Sequence, residues 1–354
     1  MAYTTIDDPT AYFQTKIYSG TGSDLSLTFD GSSDMQPDWM WIKRRSDSGN
    51  HFAWDSVRGV NGALVPNDTD AEDTSGESTN YFDSFDSDGF TVGGGGYANT
   101  NASGSTYVGW GWKAGGSASS NSSGDITSSV SANTTAGFSI VTYTGTGNVG
   151  ATVGHGVGSA LDMIIVKKRS ASAQWVVGHK AMDSSFDNFL FLDNDGAKGN
   201  ADNVFNDTAP TSSLFSIGNA GDTNASSQTY VAYCFAEKKG YSKFGSYTGN
   251  GNADGPFIYL GFRPAFCMFR NTTGDKWSIF DAKRSTFNVV DDNIRANLAD
   301  AEVDQANKEV DFLSNGIKIR TSSGEWNGSG HQLIFMAFAE NPLVTSTGIP
   351  GTAR

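Results

Sequence analysis

The stretch Asn101-Ala-Ser-Gly-Ser-Thr-Tyr-Val-Gly-Trp-Gly-Trp112 decides the fold of this chain, because it occurs three times. It returns as Asn224-Ala-Ser-Ser-Gln-Thr-Tyr-Val-Ala-Tyr-Cys-Phe235 and as Asn327-Gly-Ser-Gly-His-Gln-Leu-Ile-Phe-Met-Ala-Phe338. In the second half of each copy, large apolar residues alternate with mostly small ones. A period of two is typical of a strand that packs one face over a core.

A second motif precedes each copy at a nearly constant distance. Tyr18-Ser-Gly-Thr-Gly22 recurs as Tyr143-Thr-Gly-Thr-Gly147 and as Tyr247-Thr-Gly-Asn-Gly251. The three Tyr-x-Gly-x-Gly motifs begin 125 and 104 residues apart, and the three closing motifs begin 123 and 103 residues apart. The two motifs therefore keep nearly the same distance from each other in every copy. Such self-similarity indicates a repeated structural unit. Each unit spans about 95 residues, which suits one β-sandwich.

Between the two motifs lies an apolar strand that ends in a base. The three examples are Pro37–Lys43, Leu161–Lys167 and Pro264–Arg270, each followed by an aromatic block. Glycines then occur where hairpins need positive φ angles, as in Asp88-Gly89 and Asn315-Gly316. Every part of the repeat therefore predicts strands joined by tight turns.

Composition supports the same class. The 354 residues include 43 glycines, 23 phenylalanines, 12 tyrosines and 8 tryptophans but only 12 leucines, which favours strands over helices. We predict an all-β protein of three tandem antiparallel β-sandwich domains, jelly-roll or lectin-like, of about 95 residues each. The predicted boundaries are an N-terminal arm at 1–11, β-sandwich units at 12–114, 137–240 and 241–344, a Gly/Ser-rich linker at 115–136 and a C-terminal tail at 345–354.

Charge and cysteine content exclude several classes of function. The net charge of −14 would repel nucleic acid, so we expect no nucleic-acid partner. The longest clear apolar run, Leu333–Ala339, is too short to span a bilayer, and Met1–Lys16 has no apolar segment typical of a signal peptide. Cys234 and Cys267 lie in separate strand-like runs without the spacing of a zinc site.

The sequence offers little catalytic chemistry. Tyr143–Gly150 contains a G-x-G-x-x-G spacing, but the last glycine is absent from the other two repeats, which favours a turn between strands over a nucleotide site. Four histidines occupy unmatched positions, and we interpret them as solvated loop residues. Acidic pairs such as Asp86 with Asp88 and Asp193 with Asp195 could serve glycoside hydrolysis or calcium, but turn formation is the simpler interpretation. We predict no enzyme, no catalytic residue, no cofactor and no metal.

Trp39 and Trp41 are the candidate binding residues. They share one face of their strand, while Met40 and Ile42 share the other. Such tryptophans can stack on sugar rings or pack at an interface. The matching residues of the other repeats are apolar without being sugar platforms, which favours packing between sheets or subunits.

Several stretches resemble virion structural proteins of tailed bacteriophages, many of them marine. They include Met1–Gln14, Asp38–Lys43, Trp54–Gly59, Ser84–Val92 and Phe335–Pro342. The resemblance covers nearly the whole chain. It implies a place in a virus particle, with assembly in the host cytoplasm, and brings no catalytic residues.

The resemblance is compatible with three alternative functions. The first is a non-enzymatic tail-fibre or adhesin-type appendage, with the repeats strung in series and contacting host-surface polysaccharide. The second is a capsid fibre or decoration protein bound to the major capsid protein. The third, a polysaccharide-degrading tailspike, is disfavoured because its usual β-helix needs shorter repeats. The expected partners are other virion proteins, and homotrimers are common in such appendages.

Overall fold

The computed structural model describes residues 3–75, 81–95, 97–304 and 309–351. Within them the protein is all-β, and every pairing between named strands is antiparallel. The helical elements are single turns: a 3₁₀ turn at Pro9–Ala11, α1 at Asp202–Phe205, α2 at Gly221–Asn224 and α3 at Gly324–Asn327. The all-β class predicted from the sequence is confirmed.

The strands fall into three groups that follow the sequence repeats. Repeat 1 (residues 12–114) contains β1 Phe13–Ser19, β2 Leu25–Leu27, β3 Trp39–Arg44, β4 Phe52–Asp55, β5 Gly59–Leu64, β6 Ser84–Asp86, β7 Gly89–Val92 and β8 Thr106–Trp112. Repeat 2 (137–240) and the segment before it contain β9 Ser119–Asn121, β10 Ser128–Asn133, β11 Phe138–Thr144, β12 Ala151–Gly154, β13 Met163–Lys168, β14 Trp175–His179, β15 Asn188–Phe191, β16 Gly199–Asn200, β17 Leu214–Ile217 and β18 Thr229–Phe235. Repeat 3 (241–344) contains β19 Ser242–Thr248, β20 Phe257–Tyr259, β21 Phe262–Asn271, β22 Ser278–Asp281, β23 Asp292–Arg295, β24 Val303–Asp304, β25 Val310–Leu313, β26 Gly316–Ile319 and β27 Gln332–Pro342.

Each repeat builds a large sheet with the same strand order. The five strands that the sheets share run β1-β8-β3-β4-β5 in repeat 1, β11-β18-β13-β14-β15 in repeat 2 and β19-β27-β21-β22-β23 in repeat 3. The sheet of repeat 2 continues with β10-β9 beyond β11 and with β16 beyond β15, and that of repeat 3 continues with β24 beyond β23. A smaller sheet accompanies each one, namely β2-β7-β6, β12-β17 and β20-β26-β25. The closing motif of each repeat is thus the second strand of its large sheet.

The strand registers establish which residues are equivalent. Trp39 lies opposite Trp112 in repeat 1, as Met163 lies opposite Phe235 and Phe266 opposite Phe338. Two residues further along the sheets, the edge strand of repeat 1 and its counterparts β11 and β19 place equivalent residues opposite the closing strands. These residues are Thr15, Ile140 and Phe244. The three repeats can therefore be compared residue by residue.

The inner faces of the three large sheets share one hydrophobic core, which we call the central core. It contains Phe13, Trp39, Trp41, Trp110 and Trp112 of repeat 1, Phe138, Met163, Ile165, Trp175 and Tyr233 of repeat 2, and Phe244, Phe266, Met268, Trp277 and Phe338 of repeat 3, among others. Repeats strung in series would give separate cores, so that prediction is wrong. The bulky aromatic faces of all three sheets are removed from water together.

Each repeat also has an outer core between its large and its small sheet. In repeat 1 this core includes Met40, Ile42, Trp54, Phe82 and Phe90. The outer cores of repeats 2 and 3 are built in the same way. A large sheet is therefore covered on both faces, which explains strands such as β3 that are apolar on both sides.

The segment 115–136 is structured, in contrast to the flexible linker predicted from its serines and glycines. Its strand β10 pairs with β11 and with β9, which extends the large sheet of repeat 2. Ile126 and Val130 supply the few apolar side chains and lie in the outer core of that repeat. Two well-placed apolar residues and backbone pairing are enough to order a segment whose composition suggests a linker.

Candidate functional site

Trp39 and Trp41 do not lie at an exposed surface. Each is only 1% exposed, inside the central core. The ring of Trp39 stacks on Tyr233 of repeat 2 at 4.3 Å and lies 4.5 Å from Trp112. The packing interpretation matches this position. The sugar-platform alternative does not, because a ring buried on both faces offers nothing to a ligand.

Indole and imidazole groups join the three repeats in a closed ring. Trp175 of repeat 2 donates its indole N–H to the carbonyl oxygen of Val65 in repeat 1 at 2.9 Å. Trp277 of repeat 3 donates to Phe191 of repeat 2 at 2.8 Å. In repeat 1 the equivalent residue is His51, whose Nε2 lies 3.0 Å from the carbonyl oxygen of Arg295 in repeat 3. The same contact thus occurs at each of the three junctions.

Three of the four histidines are structural, contrary to the interpretation of solvated loops. His51 and His155 are 0% exposed and His179 is 1% exposed. Burial lowers the pKa of His155 and of His179 to about 4, and it lowers that of His51 well below its usual value. These rings are therefore neutral hydrogen-bonding groups at neutral pH.

The junction between repeats 1 and 2 holds a buried ionic cluster. Arg58 donates to Asp55 at 2.5 Å and to Glu72 at 2.6 Å, and its side chain is fully buried. From repeat 2, Tyr233 donates its hydroxyl to Asp55 at 2.8 Å, and Arg169 lies 2.8 Å from Glu72. Burial acts to raise the pKa of Glu72, but the two guanidinium groups outweigh it and hold that pKa below its ordinary value.

The junction between repeats 3 and 1 repeats this cluster. Arg284 donates to Asp281 at 2.6 Å and to Glu302 at 2.9 Å. From repeat 1, the indole of Trp110 donates to Asp281 at 3.0 Å, and Arg45 contacts Glu302 at 2.7 Å. The sequence signal for both clusters is the spacing Asp-x-x-Arg directly after the aromatic block, as in Asp55–Arg58 and Asp281–Arg284.

The junction between repeats 2 and 3 replaces the ions with neutral groups. His179 occupies the place of Asp55 and Asp281, and its Nε2 lies 3.1 Å from the carbonyl oxygen of Phe335. Met182, three residues further on, stands where the other repeats have arginine and packs in the central core. Two junctions are therefore ionic and one is neutral around the same ring.

The base that ends each central strand is buried and bonded to backbone. Lys43 donates to the carbonyl of Arg44, Lys167 to that of Thr69 and Arg270 to that of Gly196. Burial lowers the pKa of Lys43 and of Lys167 to about 8, and that of Arg270 to about 10. The last two bonds join neighbouring repeats, so Lys167 and Arg270 help to hold the repeats together.

A buried asparagine holds the Tyr-x-Gly-x-Gly turn of each repeat. Asn224 accepts from the backbone N–H of Thr146 at 2.8 Å and donates to the carbonyls of Asn148 and Gly218. Asn101 and Asn327 make the corresponding bonds, and all three are 0% exposed. This explains why each closing motif begins with asparagine, and it assigns the G-x-G-x-x-G stretch to a turn between β11 and β12.

Members of the acidic pairs named from the sequence accept hydrogen bonds from within the protein, and Asp86 does so inside a turn. Asp86 accepts from Ser84 and Thr91 within the β6–β7 hairpin, and Asp193 accepts from the backbone N–H of Trp175 at 2.7 Å. Burial raises the pKa of Asp193 to about 6. Across the described ranges, no cluster of three or more His, Cys, Asp or Glu side chains forms a candidate metal site. The helices among those residues are all too short to cross a bilayer.

One cleft opens between repeats 1 and 3, at the edge strand β1. It has a volume of about 310 Å³. Its lining includes Phe13 and three alanines together with hydroxyl, amide and charged groups. The lining residues are Thr10, Phe13, Gln14, Thr15, Asp30, Gly31, Ser32, Ala265, Ala282, Lys283, Thr286, Ala339, Glu340 and Asn341. Two of its acids are already paired within the protein, Asp30 with Lys16 and Glu340 with Arg263.

The fold and its junctions define an all-β protein of three interlocked repeats. Residues 8–342 match the family described as Domain of unknown function (DUF7483), and the chain belongs to this family. No curated protein matches the chain, and no solved structure does so either.

Proposed function

We propose that this protein is a non-enzymatic structural component of a tailed-phage virion, exposed on the particle as a tail-fibre or adhesin-type module. Each repeat is a small β-sandwich of one large and one small sheet, and the three sandwiches form one body. The protein is made and assembled in the host cytoplasm. The sequence resemblance to virion structural proteins supports this proposal.

The observation that carries the proposal is the use of the buried polar groups. Arg58 donates to Tyr233 and Lys167 to the carbonyl of Thr69, each in a neighbouring repeat. Arg284 binds Glu302, which also binds Arg45 of repeat 1. These buried charged groups hold the three large sheets together around one core. A body fixed in this way suits a component that must survive outside the cell.

The closed ring also favours the second candidate, a capsid decoration protein bound to the major capsid protein. Head-to-tail contacts that close after three units give approximate three-fold symmetry. One copy of such a chain matches a three-fold position on a shell, or the end of a trimeric fibre. The homotrimer expected from the resemblance would instead place three such rings together.

Copy number in purified particles tests both candidates. We expect the protein to be detected by quantitative mass spectrometry of gradient-purified virions, with the major capsid and tail proteins as internal standards. One copy for every three capsid subunits, as a three-fold position requires, assigns it to the shell, and a few copies per particle assign it to the tail. Absence from purified virions would overturn the proposal.

A further inference from the structure

We propose that the solvent side of the small sheet of repeat 3 binds a second copy of this chain, face to face. This surface, which we call the aromatic face, consists of Phe257, Tyr259 and Leu313 of the sheet with Phe287 and Val289 beside it. The inference goes beyond the function proposed above, because self-association is a property of the isolated chain. A virion protein that stays monomeric would defeat this inference alone.

Large apolar side chains on this sheet are open to water. Phe257 is 46% exposed and Tyr259 is 53% exposed, whereas Ile258 between them is buried in the outer core of repeat 3. The ring of Phe257 lies over the neighbouring strand, because a Cβ atom added to Gly316 would be only 3.0 Å from it. On the far side of Gly316 lies Leu313 of β25. The apolar surface therefore crosses all three strands of the sheet.

The next segment of chain widens this surface. The side chain of Asn288 exchanges two hydrogen bonds with the backbone of Phe312, at 2.8 and 3.0 Å, which places residues 287–289 beside β25. Phe287 is 78% exposed and Val289 is 37% exposed. Contiguous exposed apolar surface of this kind is typical of an interaction site.

The fold itself does not require these aromatic residues. The strand registers place Phe257 and Tyr259 at positions that are polar or small in both other repeats. The equivalent pairs are Ser26 with Thr28 in repeat 1 and Thr152 with Gly154 in repeat 2. One sheet face out of three equivalent ones has thus become aromatic while remaining exposed, which indicates a contact outside the chain.

The shape of the aromatic face favours a second copy as the partner. The solvent side of an antiparallel sheet is broad and shallow, and it packs well on the face of another sheet, about 10 Å away. A second copy supplies a sheet face of the same size and the same apolar character. Contact between identical faces closes as a two-fold dimer.

Charge is the second reason to expect a copy of the same chain here. The net charge of −14 makes two copies repel each other over most of their surface. On the aromatic face, however, the charged side chains are paired within the chain. Lys318 lies 2.6 Å from Asp254, and Arg320 lies 3.4 Å from Asp311. Two copies can therefore meet at this face without bringing unpaired like charges together.

The area of the aromatic face sets the expected strength. A phenylalanine or tyrosine side chain buries about 150–250 Å² when it is fully covered, so the exposed parts of Phe257, Tyr259 and Phe287 amount to about 300–400 Å² per copy. Stable interfaces bury about 800 Å² per partner, so the polar rim must supply the remainder. We therefore expect a reversible dimer with a Kd in the micromolar range.

Sedimentation velocity of the purified full chain, from low micromolar to near-millimolar concentration, tests the inference. We expect the mass to rise from one chain to two as the concentration increases. The double substitution Phe257→Ser with Tyr259→Thr copies repeat 1, so it should leave the protein folded and weaken association at least tenfold. Circular dichroism and the melting temperature check that the variant is folded.

The matched control is Val149→Ser in repeat 2, which removes another exposed apolar side chain, 66% exposed, and should dimerise like the wild type. If the double variant does not fold, Phe287→Ser decides and should weaken the dimer. A wild type that stays monomeric at every concentration would overturn the inference, even if it co-sediments with phosphatidylcholine vesicles. A mass of three chains, or a dimer that the substitutions on the aromatic face leave unchanged, would overturn it as well.

Discussion

The indole N–H of Trp277 donates to the carbonyl oxygen of Phe191 at 2.8 Å and so joins repeat 3 to repeat 2. The equivalent bond from Trp175 to Val65 joins repeat 2 to repeat 1, and His51 with Arg295 closes the ring. Residues far apart in sequence thus make one recurring contact. The ring depends on such contacts as well as on the shared core.

Trp277→Phe should therefore destabilise the protein by more than the loss of side-chain volume alone would. It removes the donor and leaves a buried carbonyl without a partner, which costs about 1–3 kcal/mol. The matched control is Trp54→Phe, because the indole N–H of Trp54 is buried without a partner among the described residues. Urea unfolding should show a clearly larger loss for Trp277→Phe. Equal losses would mean that the bond to Phe191 contributes nothing.

Stability should fall between pH 7 and pH 5 because of the buried histidines. The pKa of His179 is about 4 in the fold, below the ~6.5 of an unfolded chain. The unfolded chain therefore takes up a proton in this range while the folded chain does not, so the contribution of His179 is complete above pH 6.5 and is lost as the pH drops. We expect a loss of about 2 kcal/mol from this residue between pH 7 and pH 5.

His179→Gln tests the assignment, because glutamine can still donate to the carbonyl of Phe335 but does not titrate. Urea unfolding at the two pH values should give a difference about 2 kcal/mol smaller than in the wild type. His155→Gln should have a similar effect, since burial also lowers the pKa of His155 to about 4. A pH dependence unchanged in both variants would contradict the proposed origin.

Arg58→Met should be strongly destabilising. The substitution leaves Asp55 buried without its cation and Glu72 with Arg169 alone, and breaking one side of a buried ion pair costs about 3–5 kcal/mol. The exposed pair of Lys16 with Asp30 gives the control, because Lys16→Met should cost about 1 kcal/mol or less.

The neutral junction shows how that loss can be recovered. The double substitution Asp55→His with Arg58→Met copies the residues His179 and Met182 of repeat 2. It removes a buried charge together with its partner, so we expect it to cost less than Arg58→Met alone. Additive losses in unfolding measurements would argue against the equivalence of the junctions.

Period-two patterns and matched spacings were sufficient to predict the repeats and the all-β class. The strand containing Trp39 was predicted because an apolar run that ends in a lysine is local information. Its burial partner Tyr233 lies in another repeat, and no local pattern indicates which sheets face each other. The cleft was missed for the same reason, since Thr15 is unusual only beside Ile140 and Phe244 in a known register.

Asn224→Ala should cost about 1–3 kcal/mol, since it breaks several bonds at once and leaves the buried carbonyl of Gly218 without this donor. Asn148→Ala, in the same turn, is the control. The side chain of Asn148 is exposed and its backbone carbonyl is unaffected. Thermal unfolding should separate the two variants clearly. Similar melting temperatures would show that the turn does not need the buried amide.

Residues 137–240, expressed alone, should not fold cooperatively. The inner face of their large sheet, with Met163, Ile165 and Tyr233, packs against repeats 1 and 3 and would be exposed to water. We expect strong binding of a hydrophobic dye and no sharp urea transition, whereas residues 1–344 should unfold in a single step. Independent sandwiches joined by linkers would behave differently, because each would keep its own closed core. A cooperative transition of the isolated repeat, close to that of the longer chain, would show that the central core is dispensable for each unit.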